Sequence, residues 1–432
     1  MQRTLTRELP QRIGQRVLLE GWMHNIRSFP DFSFLILRDR TGNAQVILEP
    51  GPELEKLHGL QNESVLRIEG TVVEEERSPL GVDVRDAWIT VVAPVTEIGP
   101  FELNKKVLKP SLDVFLNHAA YGLRHPSRIA VFRIMSTILA GYREFLLSEG
   151  FTEISTPKLV GGATEGGANV FPVQYFDRTA YLAQSPQLYK QIMVGVFERV
   201  FEIGPAFRAE EHATSRHLNE FTSLDLEMGF IESQRDVMDM LRRVLQAMIE
   251  AVRTRNAREV ELLRMELPRI EEIPSLKFRE AQQMILERHG EDRSQEPDLS
   301  PQDERWICEW GEKEHGSQFV FVTHFPSAKK PFYSFPDPED PEYSETFDLL
   351  FRGSELVSGG RRINDYAQQL EVLEQRGIDA QPFEGFLEAF KYGMPPEGGF
   401  AIGAERFLAR LAGAENLRET TLFPRDINRL TP

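Results

Sequence analysis

Two stretches of the 432-residue chain gather residue types that could bind and polarise a nucleotide. In ERVFEIGPAFRAEEHATSRHLNEFTSLDLEMG, residues 198–229, an apolar run delivers Arg208 and Glu210. A polar loop with Arg216 and His217 follows, and a second apolar run opens near Phe221. A nucleotide needs a cation on its α-phosphate, a face for its base and polar edges for specificity. Arg208 offers a planar fork suited to bidentate phosphate contact. Phe221 offers a ring face on which a purine could stack. A single Arg–Glu pair reads equally well as an ordinary salt-bridged hairpin. In GGFAIGAERFLARL, residues 398–411, a glycine-rich strand runs into a helix bearing Arg406. Glycines permit close backbone approach to a ligand, and a helix start favours anions.

These side chains need a rigid frame, and the pattern predicts two parts. Residues 1–100 read as a small β domain. RVLLEGWMHNI, FSFLILRD and AQVILEP are strand-like, with a turn at Arg40-Thr41-Gly42-Asn43. The short helical segment PELEKLHGL separates them from SVLRIEGTVVEEE and VDVRDAWITVVAP, which the turn Ser78-Pro79-Leu80-Gly81 joins. Five strands with a helix between the third and fourth is the layout of an OB-fold barrel, which often binds oligonucleotides; a plain barrel spacer stays open. Residues 101–126 hold Pro110 and Pro126 without periodicity and read as a hinge. Residues 127–432 read as an α+β domain with a largely antiparallel sheet. It opens on the helix IAVFRIMSTILAGYREFLLSEG and carries strands at RVFEIGPAF, FTSLDLEMGF, FVFVTHF and GGFAIG. A long amphipathic helix is expected at 234–255 and a helical insertion at about 277–311.

Bulk composition bounds the function. At 41% hydrophobic the chain can bury a sizeable core, yet no apolar run approaches the roughly 20 residues that span a bilayer. Residues 1–14 are polar, with Arg3, Arg7 and Arg12, and lack the apolar core of a secretory signal. The single Cys308 excludes an internal disulfide framework and a thiolate metal cluster, and reads as a buried bystander. The expected compartment is the cytoplasm, with no membrane partner. A net charge of −17 speaks against a generic nucleic-acid binder, which carries a basic excess. Local basic surface is enough to grip one RNA.

Residues 198–229 resemble motif 2 of the class II aminoacyl-tRNA synthetases. Gly403, Ala404, Glu405 and Arg406 match the GxER core of motif 3, and Pro157, after the long helix and SEGFTEIS, matches the proline that ends the dimer-forming motif 1. The motifs stand in the family's order. YLAQSPQLYKQ, residues 181–191, resembles the substrate signature of the aspartyl-tRNA synthetases, subclass IIb, in their compact archaeal-type form, which lacks an inserted domain. The resemblance implies ATP-dependent activation of L-aspartate and its transfer to the 3′ end of a tRNA, by a homodimer. It implies an ATP site from Arg208, Glu210, Arg216, His217, Leu218, Phe221, Glu355, Gly403, Ala404, Glu405 and Arg406, with Arg208, Arg406 and Glu355 catalytic. It implies an aspartate site from Glu165, Gln187, Lys190, Arg208, Ser358 and Arg362. An aspartate side chain is an anion, for which Lys190 and Arg362 in SGGRRIND are the candidate cations; Lys190 taken alone reads as a solvated lysine. Glu165 lies in ATEGG, similar to the family's mobile substrate loop. FDLLFRGSELVSGG, residues 347–360, is similar to the metal-binding strand, with Asp348, Glu355 and Ser358 as oxygen ligands for Mg²⁺. Asp348 and Glu355 are seven apart, which points them to opposite faces of an ideal strand, so sharing a metal requires a bulge or bend.

The barrel resembles the family's anticodon-binding domain. Phe34 matches the base-stacking position, Gln45 the base-reading position, and Arg27 offers a further contact; Phe34 reads equally as a core residue. Some compact relatives charge both tRNA-Asp and tRNA-Asn, the latter for later amidation. His24 and Pro79 occupy positions that recur in those relaxed enzymes, although Pro79 is also an ordinary turn proline. The alternatives are an asparaginyl-tRNA synthetase, an aspartyl enzyme strict for tRNA-Asp, an amidase or asparagine synthetase paralogue, and a non-catalytic tRNA-binding regulator. Lys190 opposes the first, the anticodon-like barrel the paralogue, and Arg208, Glu355 and Arg406 together the regulator. A relaxed enzyme would need an amidotransferase partner.

Overall fold

A computed structural model describes residues 1–162, 169–211 and 214–431, in two compact units, Met1–His125 and Pro126–Pro432. In the first unit β1 (Arg16–Ser28), β2 (Ser33–Arg38), β3 (Asn43–Leu48), β4 (Val65–Glu74) and β5 (Val82–Ala93) close a barrel in the order β1-β2-β3-β5-β4. The one-turn helix α1 (Pro52–Glu55) lies between β3 and β4, as the OB layout requires. Alternation along each strand sends Val17, Leu19 and Met23 of β1 inward, where they meet Leu35, Leu37, Val46, Leu66, Ile68 and Val84. Residues 101–126 carry two helices, α2 (Leu112–Asn117) and α3 (Ala119–Gly122), too short to print a periodicity.

The second unit opens with α4 (Pro126–Ser148), then β6 (Thr152–Glu153), β7 (Leu159–Val160), β8 (Pro172–Tyr175) and β9 (Arg178–Leu182). There follow α5 (Gln187–Phe197), β10 (Arg199–Phe207), β11 (Glu220–Gly229), α6 (Gln234–Arg255) and α7 (Ala257–Leu263). Next come β12 (Ser275–Lys277), α8 (Phe278–His289), α9 (Pro301–His315), β13 (Phe319–Thr323), β14 (Thr346–Phe351) and β15 (Glu355–Arg362). The unit ends with α10 (Tyr366–Gln375), α11 (Glu384–Lys391), β16 (Glu397–Gly403) and α12 (Ala404–Ala412). Eight strands form one sheet, ordered β12-β13-β14-β15-β16-β11-β10-β6. Only the outer pairs β12–β13 and β10–β6 are parallel.

α6 forms where the sequence places it. Ser233 and Asp236 make a reciprocal capping box at its start, Arg253 and Arg255 sit in its last turn, and its apolar stripe includes Val237, Leu241, Val244, Leu245 and Met248. That stripe and Ile134, Ile138 and Tyr142 of α4 cover one face of the sheet. Each such side chain contributes roughly 1.5–3 kcal/mol on burial. Leu224, Leu226 and Met228 of β11 point into this core. The period of two therefore turns Ser223, Asp225 and Glu227 to the opposite face. No helix among the described residues is long and apolar enough to cross a membrane.

Candidate active site

The opposite face of the sheet floors a cavity of about 350 Å³. Five cations line it, Arg208, Arg216, Lys330, Arg362 and Arg406, against four carboxylates, Glu210, Asp225, Glu355 and Glu405. In a chain of net charge −17 this is a locally positive pocket, as a polyphosphate requires.

β10 and β11 pair in register from Arg199↔Met228 to Phe207↔Glu220, and Arg208, Glu210, Arg216 and His217, from between them, line the cavity. Asn219 ties the loop base by donating to the carbonyls of Arg208 (2.7 Å) and Glu210 (3.1 Å). The Arg208 guanidinium lies over the Phe221 ring, 5.6 Å from its centroid. The candidate phosphate cation and the candidate ring face are thus adjacent. His217 bridges Thr214 Oγ1 (2.6 Å) and Glu210 Oε2 (3.3 Å). Leu218 is buried beside Phe221, Ala409 and Leu417.

Motif 3 supplies the other wall. Arg406, third residue of α12, donates to the Glu355 carbonyl at 3.2 Å. Glu405 accepts the Thr222 backbone N–H with both oxygens at 3.0 Å, tying the wall to β11. Gly399 acts differently from the sequence expectation. A Cβ on Gly399 would stand 2.1 Å from the Leu226 carbonyl oxygen and 2.3 Å from Glu227 Oε2. On Gly403, which lines the cavity, the nearest atom would be Arg406 Cβ, at 3.7 Å. The missing side chain at 399 is demanded by the neighbouring strand and its buried carboxylate, not by a ligand.

Residues 347–360 form a hairpin rather than one strand. Asp348 opposes Ser358, Leu349 opposes Val357, and Leu350 opposes Glu355. The bulge inserts Leu356, which brings Glu355 and Ser358 to one face and removes the parity problem of a seven-residue offset. Burial first, and then Asp348, raise the Glu355 pKa, while Arg406 and Lys330 oppose them. Lys330 holds both Asp348 oxygens at 2.9 and 3.0 Å. Among the described residues no three His, Cys, Asp or Glu side chains cluster as a metal cage. Two carboxylates and a hydroxyl fit a hard cation that takes its remaining oxygens from phosphate and water.

At the other end of the cavity lies a buried ion cluster. Arg362 donates through Nε to Glu227 (2.7 Å) and through Nη2 to the Gly399 carbonyl (2.9 Å), and it reaches the cavity wall. Lys190 is neither solvated nor on that wall. It is 1% exposed, and its Nζ is 3.1 Å from Asp225 Oδ1, 3.2 Å from Glu227 Oε2 and 3.1 Å from the Phe400 carbonyl. Gln187, from the first turn of α5, lines the cavity with its Nε2 buried and unpartnered among the described residues. Glu165 lies outside the described residues.

The family-wide pattern agrees with this geometry. The model of class II tRNA synthetases (D, K and N) matches residues 111–427, and that of OB-fold nucleic acid binding domains matches residues 17–90. The chain is a class II aminoacyl-tRNA synthetase. It is 44% identical to the aspartate–tRNA(Asp/Asn) ligase of Deinococcus radiodurans, over 100% of this chain and 99% of that one. It is also 44% identical to the ligase of the same name from Thermus thermophilus, over 100% of both. Among solved structures, the asparaginyl-tRNA synthetase of Pyrococcus horikoshii complexed with asparaginyl-adenylate superposes with a TM-score of 0.92 at 31% identity, covering 100% of both chains.

Within this synthetase the barrel residues separate. Phe34 is absent from the barrel core and joins Phe29 and Phe32 in an aromatic cluster with centroids 4.9–5.6 Å apart. Arg27 is its cross-strand neighbour and is exposed. Gln45 sits on β3 and donates to Asp83 Oδ1 at 3.1 Å. His24 occupies the bulge of β1, its pKa lowered to about 4 by burial, Arg38 and His125, so the ring is neutral at pH 7. Pro79 is exposed in the β4–β5 turn.

Sequence reading missed four residues of the cavity region. Asp225 and Glu227 were detectable as carboxylates two apart inside an apolar strand. Lys330 belongs to an irregular loop with no pattern to read. Glu304, on α9 of the helical insertion, reaches Arg216 at 3.4 Å, and burial, then Glu355, raise its pKa to about 7. Cys308 is buried, and that burial raises its thiol pKa to about 11.

Proposed function

We infer that this synthetase is an aspartate–tRNA ligase, joining L-aspartate to tRNA-Asp and to tRNA-Asn at the cost of ATP. The observation that carries the reading is Arg362, a guanidinium 5% exposed at the cavity wall, anchored through Nε and Nη2. Its Nη1 has no hydrogen-bond partner among the described residues. A fixed cation with one edge turned to the cavity suits a side-chain carboxylate, whereas a neutral amide brings no charge to meet it. The curated relatives' names point the same way.

In the first step an α-carboxylate oxygen of aspartate attacks the ATP α-phosphorus, and pyrophosphate departs with the electrons of the broken P–O bond. Arg208 and Arg406 stand where the phosphoryl charge develops. Phe221 takes the adenine, and Arg216, His217 and Glu210 form the rim of the same site. Gln187 and Ser358 orient the amino acid beside Arg362, and Glu165 is assigned the substrate ammonium by resemblance. Lys190 acts through Asp225 and Glu227. Glu355 and Ser358, with Asp348, would hold Mg²⁺, which when bound neutralises phosphate oxygens. In the second step the tRNA 3′-terminal hydroxyl attacks the aspartyl carbonyl and AMP leaves. No protein nucleophile is needed.

The barrel reads the anticodon. Phe34 supports a stacked base, Gln45 and Arg27 address its neighbours, and neutral His24 with Pro79 admits either tRNA. Such an enzyme works with an amidotransferase, in the cytoplasm and as a homodimer, for which Leu147 on α4 and Leu159, two residues past Pro157, both about half exposed, supply apolar surface. Aminoacylation of separate tRNA-Asp and tRNA-Asn transcripts with labelled aspartate and asparagine tests the amino acid and the tRNA specificity. Aspartate on both tRNAs is the expected result. Incorporation of asparagine alone would overturn the substrate, and aspartate on tRNA-Asp alone would overturn the relaxed specificity.

A further inference from the structure

The ion cluster around Arg362 has a fifth member that the reaction does not use. Glu397 opens β16, pairs in register with Arg362 on β15 and Gly229 on β11, and is 0% exposed. Both its carboxyl oxygens are buried without a hydrogen-bond partner among the described residues. The charged groups around it are Glu227 on β11, Arg362 on β15 and Lys190 on α5, with Asp225 completing the cluster through Lys190. Two cations and three carboxylates would sum to −1 beneath a site that must accept an anion. A buried ionised carboxylate with no donor is also costly, and proton uptake relieves it. Burial, and next Glu227, raise the Glu397 pKa well above the usual carboxylate range, and Arg362 and Lys190 offset this only in part.

We propose that Glu397 is a specificity-determining positioning residue: as an uncharged carboxyl it leaves the charge of Arg362 to the anionic side chain of the amino-acid substrate, and once ionised it competes for that charge. The proposal rests on the assignment of aspartate to Arg362. It predicts that the enzyme loses aspartate, but not ATP, as Glu397 ionises.

The test compares the full-length wild type with Glu397→Gln and Glu397→Met, both uncharged. Aspartate KM and ATP KM are measured by pyrophosphate exchange from pH 6.5 to 9.5, and Tm is measured without substrates over a wider pH range. In the folded state Glu397 keeps a proton that the unfolded chain sheds near 4.5. The wild type therefore loses stability relative to both variants as pH rises above that value. The expected result is that the ratio of wild-type to variant aspartate KM climbs by about tenfold, which is 1.36 kcal/mol, across the pH interval in which the Tm comparison shows Glu397 losing its proton, while the ATP ratio stays level. Parallel aspartate profiles overturn the proposal even if the Tm comparison shows the proton. A Tm difference independent of pH overturns it at its root. A wild type that activates no aspartate at any pH overturns the substrate assignment and this proposal together, and the Tm data then report separately on the proton.

Discussion

Replacing Lys190 with methionine tests the buried ion cluster directly. The Lys190 ammonium donates to Asp225 Oδ1 and the Phe400 carbonyl, both at 3.1 Å, and forms an ion pair with Glu227 Oε2 at 3.2 Å, in a site where Lys190, Asp225 and Glu227 are at most 1% exposed. Methionine fills similar volume and supplies no donor. Two buried acceptors would lose their donor, at about 1–3 kcal/mol each, and Glu227 would lose its ion-pair partner. Proton uptake by one carboxylate limits the sum, and removal of one member of a buried ion pair costs about 3–5 kcal/mol. That is a large part of a typical 5–15 kcal/mol stability. Glu227 would also be freed to recruit Arg362 more tightly, so aspartate KM should rise by an order of magnitude or more with ATP KM little changed. Urea unfolding followed in the catalytic unit measures the first effect, and pyrophosphate exchange the second. Adding Asp225→Asn to Lys190→Met should recover part of the loss, because neighbouring charges are not additive. A single variant within about 1 kcal/mol of wild type, with unchanged aspartate KM, would refute the account of the cluster.

Three further outcomes are expected. Phe34→Ala should raise the KM for tRNA by roughly 10–100-fold, equivalent to about 1–3 kcal/mol of lost base stacking, and leave pyrophosphate exchange at its wild-type rate; equal loss in both assays would place Phe34 in the fold instead. Glu304 titrates near 7 in the folded protein and 4.5 in the reference state, so its contribution to stability is whole below about 4.5 and is lost as pH rises to about 7. Glu304→Gln should accordingly gain Tm on the wild type across that window and level off above it, and a flat difference would contradict the burial of that carboxyl. Gly399→Ala forces a methyl group against the Leu226 carbonyl and Glu227, and should cost at least about 1–3 kcal/mol by overpacking while raising aspartate KM; a variant as stable as wild type by calorimetry would show that β11 can move aside.

Much of this molecule is legible in short windows of sequence. The barrel strands announce themselves by alternation and by their turns, and α6 by its apolar stripe and its capping box at Ser233. Motifs 2 and 3 keep chemistry within a dozen residues of a hairpin or a strand–helix junction, so Arg208, Phe221, Glu405 and Arg406 were expected at the cavity and line it. What was not legible depends on pairing between distant strands. A one-residue bulge opposite Leu350 puts Glu355 and Ser358 on one face, and no local pattern encodes a bulge. Glu304 meets Arg216 across 88 residues of chain, because α9 packs there through its own apolar side. Lys190 looked like a ligand-facing lysine from its neighbours in sequence. Only the approach of α5 to β11 decided that its charge goes to Asp225 and Glu227, and only the pairing of β16 with β15 put the unpartnered carboxyl of Glu397 beside Arg362. Residue type and local period determined which groups this protein possesses and which elements carry them. The tertiary structure alone decided which charges neutralise one another and which are left for a substrate, because burial and proximity in space set those balances.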